Sequence, residues 1–284
     1  MTRTFLGLFK LRIGFMIMIT ALVGVAVTPG PALGWVQVIT LAFAVLISSA
    51  SAGAFNQYYE RHSDHLMART RNRAFVTGAL PETPAWWILM AAMLLVAVST
   101  AAWVLNPVSA VFVFLGAFFY AVVYTVWLKR RSWLNIVVGG LAGSFAVLAG
   151  GAAVTPEVGP LPLLLAAVLF LWTPPHFWSL AIANKADYAQ AGVPMLPVVV
   201  GTPRAARIVF WSTLALAFTA LMPIFFGAGV VYFIGASTGG AYFVYKSWLL
   251  AKSPSRETAM ASFFASLIQL SLLLVAALID SFAR

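Results

Sequence analysis

Long, nearly charge-free apolar runs recur along this chain, each about the length needed to cross a membrane. A hydrocarbon layer of roughly 30 Å takes about 20 apolar residues of helix. Nine such runs can be read, at Ile13–Pro29, Trp35–Phe55, Trp86–Leu105, Val108–Leu128, Leu134–Val154, Leu161–Ala183, Ile208–Gly227, Val230–Leu250 and Ala259–Phe282. Backbone groups inside lipid must be satisfied within the segment, so each run predicts an α-helix. Composition agrees: 62% of the 284 residues are hydrophobic and 8% are charged, against about 25% charged in a soluble domain. A soluble globule could not cover that apolar mass, and a disordered chain would not contain it. Cysteine is absent, which excludes disulfides and thiolate metal sites. The first run lacks a clean small-residue cleavage site and is followed by others, so it reads as a retained helix. The expectation is an all-α polytopic membrane protein of nine transmembrane helices, forming one domain over residues 1–284.

The connectors alternate in character. Gly30–Gly34, Asn106–Pro107, Thr155–Pro160 and the break near Ala228 carry no Lys or Arg. The N-terminus and the regions 56–85, 129–133, 184–207 and 246–258 hold 16 of the 17 cations, leaving Arg284 alone on the other side. The positive-inside bias then puts the N-terminus in the cytoplasm, and nine crossings put the C-terminus outside. Topology therefore accounts for most of the net charge of +10. Cations scattered over five segments also argue against nucleic-acid binding. The informative groups are those that topology does not require: acids, histidines and polar residues near helix ends.

Asn56, Glu60 and Asp64 follow the second run at i, i+4 and i+8. If the helix continues, they line one face, about 6 Å apart per step. Two carboxylates and an amide oxygen are hard ligands suited to Mg²⁺. Arg69 and Arg73, again i and i+4, add guanidinium forks that suit a diphosphate. The same spacing equally serves a plain amphipathic turn with paired charges. His62 and His65 read as solvated loop residues, without a second ligand pair for zinc.

A second polar loop, Asn184–Pro197, places Asp187 beside Lys185 on the same membrane side. Two acid-bearing loops could thus face each other across one cavity. Between them lie Tyr124, the run Lys129-Arg130-Arg131, and Asn135 at the start of the fifth span. In span six, Pro174 and Pro175 should interrupt the helix, and broken helices at depth line cavities. His176 follows, about 10 Å below the cytoplasmic end at 1.5 Å per residue. An ionisable residue there suggests ligand contact, while its neighbours Trp172 and Trp178 suit either ligand contact or packing. Gly139, Gly140, Gly143, Gly150 and Gly151 read as close helix contacts.

These residues together resemble a known family. Asn56-x3-Glu60-x3-Asp64-x2-Met67-x-Arg69-Thr70-x2-Arg73 is similar to the first acidic motif of the UbiA-type intramembrane prenyltransferases. Tyr124-Thr125-x-Trp127-Leu128-Lys129-Arg130-Arg131, Asn135-Ile136, Trp172-Thr173-Pro174-Pro175-His176-Phe177-Trp178 and Asp187-Tyr188-x3-Gly192-Val193-Pro194-Met195-Leu196-Pro197 resemble the branch that farnesylates protohaem IX. Glu60 stands where that branch often has Asp, Leu11 replaces a proline after Lys10, and Ala74 replaces a proline after Arg73.

The resemblance implies nine helices around a lipid-accessible cavity capped by cytoplasmic loops, in the cell (inner or plasma) membrane. It implies transfer of the farnesyl group of farnesyl diphosphate to a vinyl group of haem B, giving haem O. Mg²⁺ would be held by Asn56, Glu60, Asp64 and Asp187. Lys10, Arg69, Arg73, Lys129, Arg130 and Lys185 would bind diphosphate. His176, Trp172, Tyr124 and Asn135 would be candidates for contact with haem. A downstream haem-processing enzyme or terminal oxidase assembly would receive the product. The competing expectations are a quinone- or chlorin-type prenyltransferase, a secondary transporter, and a non-catalytic haem-binding assembly factor.

Overall fold

The computed structural model describes residues 2–283, with side chains from residue 4 onward. Two cations of the topology count, Arg284 and the side chain of Arg3, lie outside the described residues. The chain forms α1 (Thr2–Leu8), α2 (Leu11–Val27), α3 (Trp35–Glu60), α4 (Ala85–Val104), α5 (Pro107–Phe118), α6 (Asn135–Gly139) and α7 (Leu141–Val154). It continues as α8 (Pro160–Ala183), α9 (Lys185–Gln190), α10 (Leu196–Val200), α11 (Thr202–Leu221), α12 (Val230–Lys252) and α13 (Arg256–Phe282). No strand occurs among the described residues.

Each predicted run coincides with a helix or a pair of joined helices. Seven helical segments are long and apolar enough to cross a membrane: Trp35–Glu60, Ala85–Val104, Pro107–Leu128, Asn135–Val154, Pro160–Ala183, Thr202–Phe226 and Arg256–Phe282. The expected count of nine is not matched exactly, because two of the predicted runs form helices outside these seven. α2 has 17 residues, about 25 Å at 1.5 Å per residue, and ends where Pro29 and Gly30 stop it. α12 is long, but Ser237, Thr238, Gly239, Gly240 and Lys246 dilute its apolar character, and it is not among the seven.

Outer faces show why the runs are apolar throughout. α4 buries only Met90, Ala97 and Ala101 among its 20 residues. Ile88, Leu95 and Trp103 are left exposed, Trp103 at 92%. Surfaces of that kind are stable against lipid and not against water. Inside the bundle, α2 packs on α3, α7 and α13, while α13 also packs on α8 and α12. Close approach of α2 and α7 rests on glycine: a Cβ at Gly150 would collide with the Ala21 carbonyl, and one at Gly24 with that of Val147. Gly151 similarly abuts Pro162, but nothing lies within 4 Å of a Cβ at Gly143, so the expected contact there is absent.

Three further departures shape the interior. α3 ends at Glu60, and a turn followed by a 3₁₀ segment, Asp64–Leu66, replaces the expected third helical step. The Ser63 N–H and hydroxyl both donate to the Glu60 carbonyl, which closes the turn. α5 continues as a π-helix over Phe119–Leu128, a wide helix often found at functional sites. α8 runs unbroken through Pro174 and Pro175. Side-chain hydrogen bonds to α13 support it there, as neighbours commonly do for prolines in membrane helices. An apolar cavity of about 190 Å³ lies between α3, α4 and the α5 segment. It opens toward lipid past Trp87, Phe114, Phe118 and Val122, all of them exposed.

Candidate active site

At the C-terminal end of α3 the buried polar groups are joined into one network. Lys10 Nζ donates to Asn56 Oδ1 at 2.7 Å and to the Tyr120 hydroxyl at 2.8 Å. Asn56 Nδ2 donates to Glu60 Oε2 at 2.8 Å and to Thr125 Oγ1 at 3.2 Å. Only one orientation of the amide serves both neighbours: its oxygen must meet the ammonium and its nitrogen the carboxylate. Lys129 Nζ donates to both oxygens of Glu60. Arg73 Nη1 sits 2.6 Å from Asp64 Oδ2 and 3.7 Å from Glu60 Oε2, bridging the two acids. Asn56, Glu60 and Asp64 are each 5% exposed or less.

Local structure explains how these groups meet. Asn56 and Glu60 share one face of α3, one turn apart. Asp64 returns to them because Thr70 Oγ1 donates to its carbonyl at 2.6 Å, closing a loop of six residues. Lys10 has φ 48°, the left-handed region, and is the only described non-glycine residue with positive φ. Gln57 holds the segment before it, donating to the carbonyls of Gly7 at 2.7 Å and Leu8 at 3.0 Å. In the π-helix, Tyr120 and Thr125 lie i and i+5 apart, close to one π turn. Thr125 Oγ1 donates to the Tyr120 carbonyl at 2.8 Å, so both side chains reach the network.

Burial works against three of these charges. It lowers the Lys10 ammonium to about 7, with the like charge of Arg73 adding to the effect. It raises the Asp64 carboxyl despite Arg73, and lowers Lys129 despite Glu60. Three cations, Lys10, Arg73 and Lys129, surround two carboxylates, and a polyanion entering beside them would favour their charged forms. The donors Glu60, Asp64 and Asn56 are all oxygen, the ligand type that Mg²⁺ takes. The carboxylates lie close enough for one guanidinium to bridge, so the donor set fits a divalent cation.

Other predicted site residues lie around this network. Tyr124 stacks on Tyr120 at 5.6 Å, with Lys129 Nζ 5.9 Å from its ring centre. Asn135 is fully buried; its Nδ2 donates to the Lys129 carbonyl, and its Oδ1 has no partner among the described residues. Arg130 is exposed and reaches the Ala191 carbonyl at 3.4 Å. Arg69 is exposed, and Lys185 and Asp187 are half-buried on α9. These three make no side-chain hydrogen bond or ion pair among the described residues. The two loops nevertheless share one apolar cluster, where Met67 joins Tyr188, Val193 and Met195. His176 and Trp172 stand apart from the network, on α8 against α13.

Sequence reasoning missed Tyr120 and Gln57, and quoted Thr70 and Thr125 without giving them a role. Gln57 and Thr70 carried a usable signal, a polar side chain next to a suspected ligand or cation. Tyr120 and Thr125 depend on the π-helix, which no residue pattern announced.

Comparisons with known proteins complete the description. The UbiA prenyltransferase family model matches residues 17–268. Protoheme IX farnesyltransferase 2 of Paramagnetospirillum magneticum is 53% identical over 274 residues, covering 96% of this chain and 95% of that protein. Protoheme IX farnesyltransferase 1 of the same organism is 45% identical, covering 98% of each. That of Idiomarina loihiensis is 39% identical, covering 99% of this chain and 94% of its own. Among solved structures, a digeranylgeranylglyceryl phosphate synthase superposes with a TM-score of 0.82 at 18% identity, over 100% of this chain and 99% of the other. A UbiA homologue from Archaeoglobus fulgidus, bound to DMAPP and Mg²⁺, gives 0.75 at 14% identity, over 95% and 99%.

Proposed function

The chain belongs to the UbiA prenyltransferase family, and from that premise we propose that it transfers the farnesyl group of farnesyl diphosphate to a vinyl group of haem B, forming haem O. The observation that carries this reading is a buried network of three cations and two carboxylates in a chain 53% identical to a protoheme IX farnesyltransferase. The whole of residues 1–284 acts as one intramembrane domain.

The C1–O bond of the allylic diphosphate breaks, leaving charge on the departing diphosphate. Lys10, Lys129 and Arg73 receive that charge from fixed positions, which costs no reorganisation at the moment of reaction. Arg69, Arg130 and Lys185 add neutralising charge from the rim. Asn56, Glu60, Asp64 and Asp187 would hold Mg²⁺ through their oxygens, and the ion would supply Lewis-acid stabilisation of the leaving group when bound. The vinyl π electrons of haem attack the farnesyl cation at C1. Water adds to the resulting cation and loses a proton, leaving a hydroxyl. Apolar walls such as the cavity between α3, α4 and α5 suit the farnesyl tail and keep water from the allylic cation. Its lining residues Phe55 and Ala121 adjoin Asn56 and Tyr120 in the chain. His176, Trp172, Tyr124 and Asn135 contact the macrocycle.

The distribution of cations supports a cytoplasmic N-terminus and an external C-terminus, and the protein resides in the cell inner membrane. Haem O would pass to a downstream haem-processing enzyme or to terminal oxidase assembly. Incubating purified protein with haem B, farnesyl diphosphate and Mg²⁺, and weighing the haem product by mass spectrometry, tests the reading. A mass gain of one farnesyl group plus one hydroxyl is expected. Unchanged haem, with prenylation of a quinone precursor instead, would overturn it.

A further inference from the structure

Away from the acidic network, the best-connected buried polar groups join α8 to α13. Trp172 Nε1 donates to the Ser266 carbonyl at 2.9 Å. His176 Nδ1 lies 2.6 Å from Ser266 Oγ, and the Ser179 and Ser262 hydroxyls are 3.0 Å apart. Hydrogen accounting at Ser266 decides the state of the histidine. Ser266 Oγ is 2.5 Å from the Phe263 carbonyl oxygen. A carbonyl cannot donate, so the single hydroxyl hydrogen of Ser266 lies on that contact. With its hydrogen spent, Ser266 Oγ can only accept from His176, and Nδ1 must carry the proton.

The rest of the ring is enclosed. Trp172 stacks on the imidazole at 4.1 Å and Phe263 at 4.5 Å, while Phe177 meets it edge-on at 4.8 Å. A half-turn of the ring would keep the stacks but break the Ser266 bond. Nε2 is left with the lone pair, and it makes no hydrogen bond among the described residues.

We infer that Ser266 is a positioning residue, which fixes His176 as the Nδ1–H tautomer and so holds Nε2 as a ligand for the iron of the haem substrate. This rests on the reading above that His176 contacts haem. A histidine ligand whose other nitrogen donates to a fixed acceptor is the usual arrangement at metal centres, because the second bond sets both tautomer and ring direction. The aromatic stacks cover both ring faces, so a ligand can reach the imidazole only in its plane, at Nε2, the direction from which iron binds imidazole.

The test combines ¹⁵N-histidine NMR of the full chain in lipid with optical titration by haem B. His62 and His65 are at the surface, and the spectrum of His176→Gln identifies their signals. Wild-type His176 should show a protonated Nδ1 and an unprotonated Nε2. Ser266→Ala should release the second tautomer and weaken haem binding roughly 10-fold, the lower end for loss of a supporting bond. Ser266→Thr, which keeps the hydroxyl, should restore both. Where Ser266→Ala fails to fold, wild type and Ser266→Thr still report the tautomer. A protonated Nε2 in the wild type overturns the assignment, as does a Ser266→Ala protein with unchanged tautomer and haem spectrum. If the tautomer is as described but His176→Gln leaves the haem spectrum and affinity intact, the role of Nε2 at iron is overturned. Farnesyl transfer is judged independently, by the mass of the haem product.

Discussion

The two polar loops of this molecule are built on opposite plans. In the first, after α3, every acid is tied: Glu60 to Lys129 and Asn56, Asp64 to Arg73. In the second, around α9, the side chains that hold the loop are apolar. Tyr188, Val193, Met195 and Leu196 are buried, while Asp187 and Lys185 stay half-buried and unbonded among the described residues. One loop is preorganised by charge, and the other by packing that leaves its charges at liberty. A site that must close on a diphosphate gains from both, a rigid half that fixes geometry and a half whose carboxylate is still available.

The strongest way to break that contrast is to neutralise one acid in each loop. Asp64→Asn and Asp187→Asn should each cut haem O formation by on the order of 10²–10³-fold, as loss of a group that stabilises leaving-group charge does. Thermal unfolding should separate them. Asp64→Asn removes the carboxylate held by Arg73 at 2.6 Å and should lower the melting temperature, whereas Asp187→Asn should leave it unchanged. Near-normal turnover in both variants would sink the metal–diphosphate assignment.

Next in size is the contact that couples the loops. Met67 is 6% exposed and packs with Tyr188, Val193 and Met195. Met67→Ala should cost about 2–5 kcal/mol of stability, the range for truncating a buried side chain. If the coupling matters to catalysis, turnover falls too, with the KM for farnesyl diphosphate rising as the two halves lose register. A destabilised protein with unchanged kinetics would mean that the loops act independently.

Much of this was legible in the sequence, for identifiable reasons. Runs of 20 apolar residues survive any packing detail, so the positions of the long helices could be read directly. What could not be read depends on contacts between distant residues. Asn56 and Glu60 follow helical spacing, but Asp64 joins them through a turn closed by Thr70, which the i+8 pattern imitated by coincidence. Pro174 and Pro175 announce a break that does not occur: α8 stays helical where His176 and Ser179 meet Ser266 and Ser262, more than 80 positions away on α13. Tyr120 enters the site only because the backbone widens into a π-helix, and that local choice leaves no mark in residue type.

Arg73 offers a finer probe. It touches both carboxylates through Nη1, so Arg73→Lys keeps the charge but exchanges a planar guanidinium for an ammonium on a different stem. A rise in KM for farnesyl diphosphate of roughly 10-fold is expected, about 1.4 kcal/mol of lost binding, with a smaller change in kcat. The corresponding Lys185→Arg change in the second loop disturbs no bonded partner and should alter KM less. Equal effects at the two positions would erase the distinction between tied and free cations.

The smallest expected effect falls on Thr70, which never touches a charged side chain. Its hydroxyl donates to the Asp64 carbonyl, and the residue is 3% exposed. Thr70→Val keeps the shape and removes the donor, leaving a carbonyl in the loop without that bond. The cost should be about 1 kcal/mol, read as a small drop in melting temperature. Because the bond fixes the main chain of Asp64 rather than its carboxylate, the kinetic signature should be a modest loss of kcat that added Mg²⁺ partly restores. Thr70→Ser, which retains the hydroxyl, should stay near wild type in both respects. If Thr70→Val melts and turns over as the wild type does, the Thr70 bond does not hold Asp64, and Arg73 carries that role in the first loop.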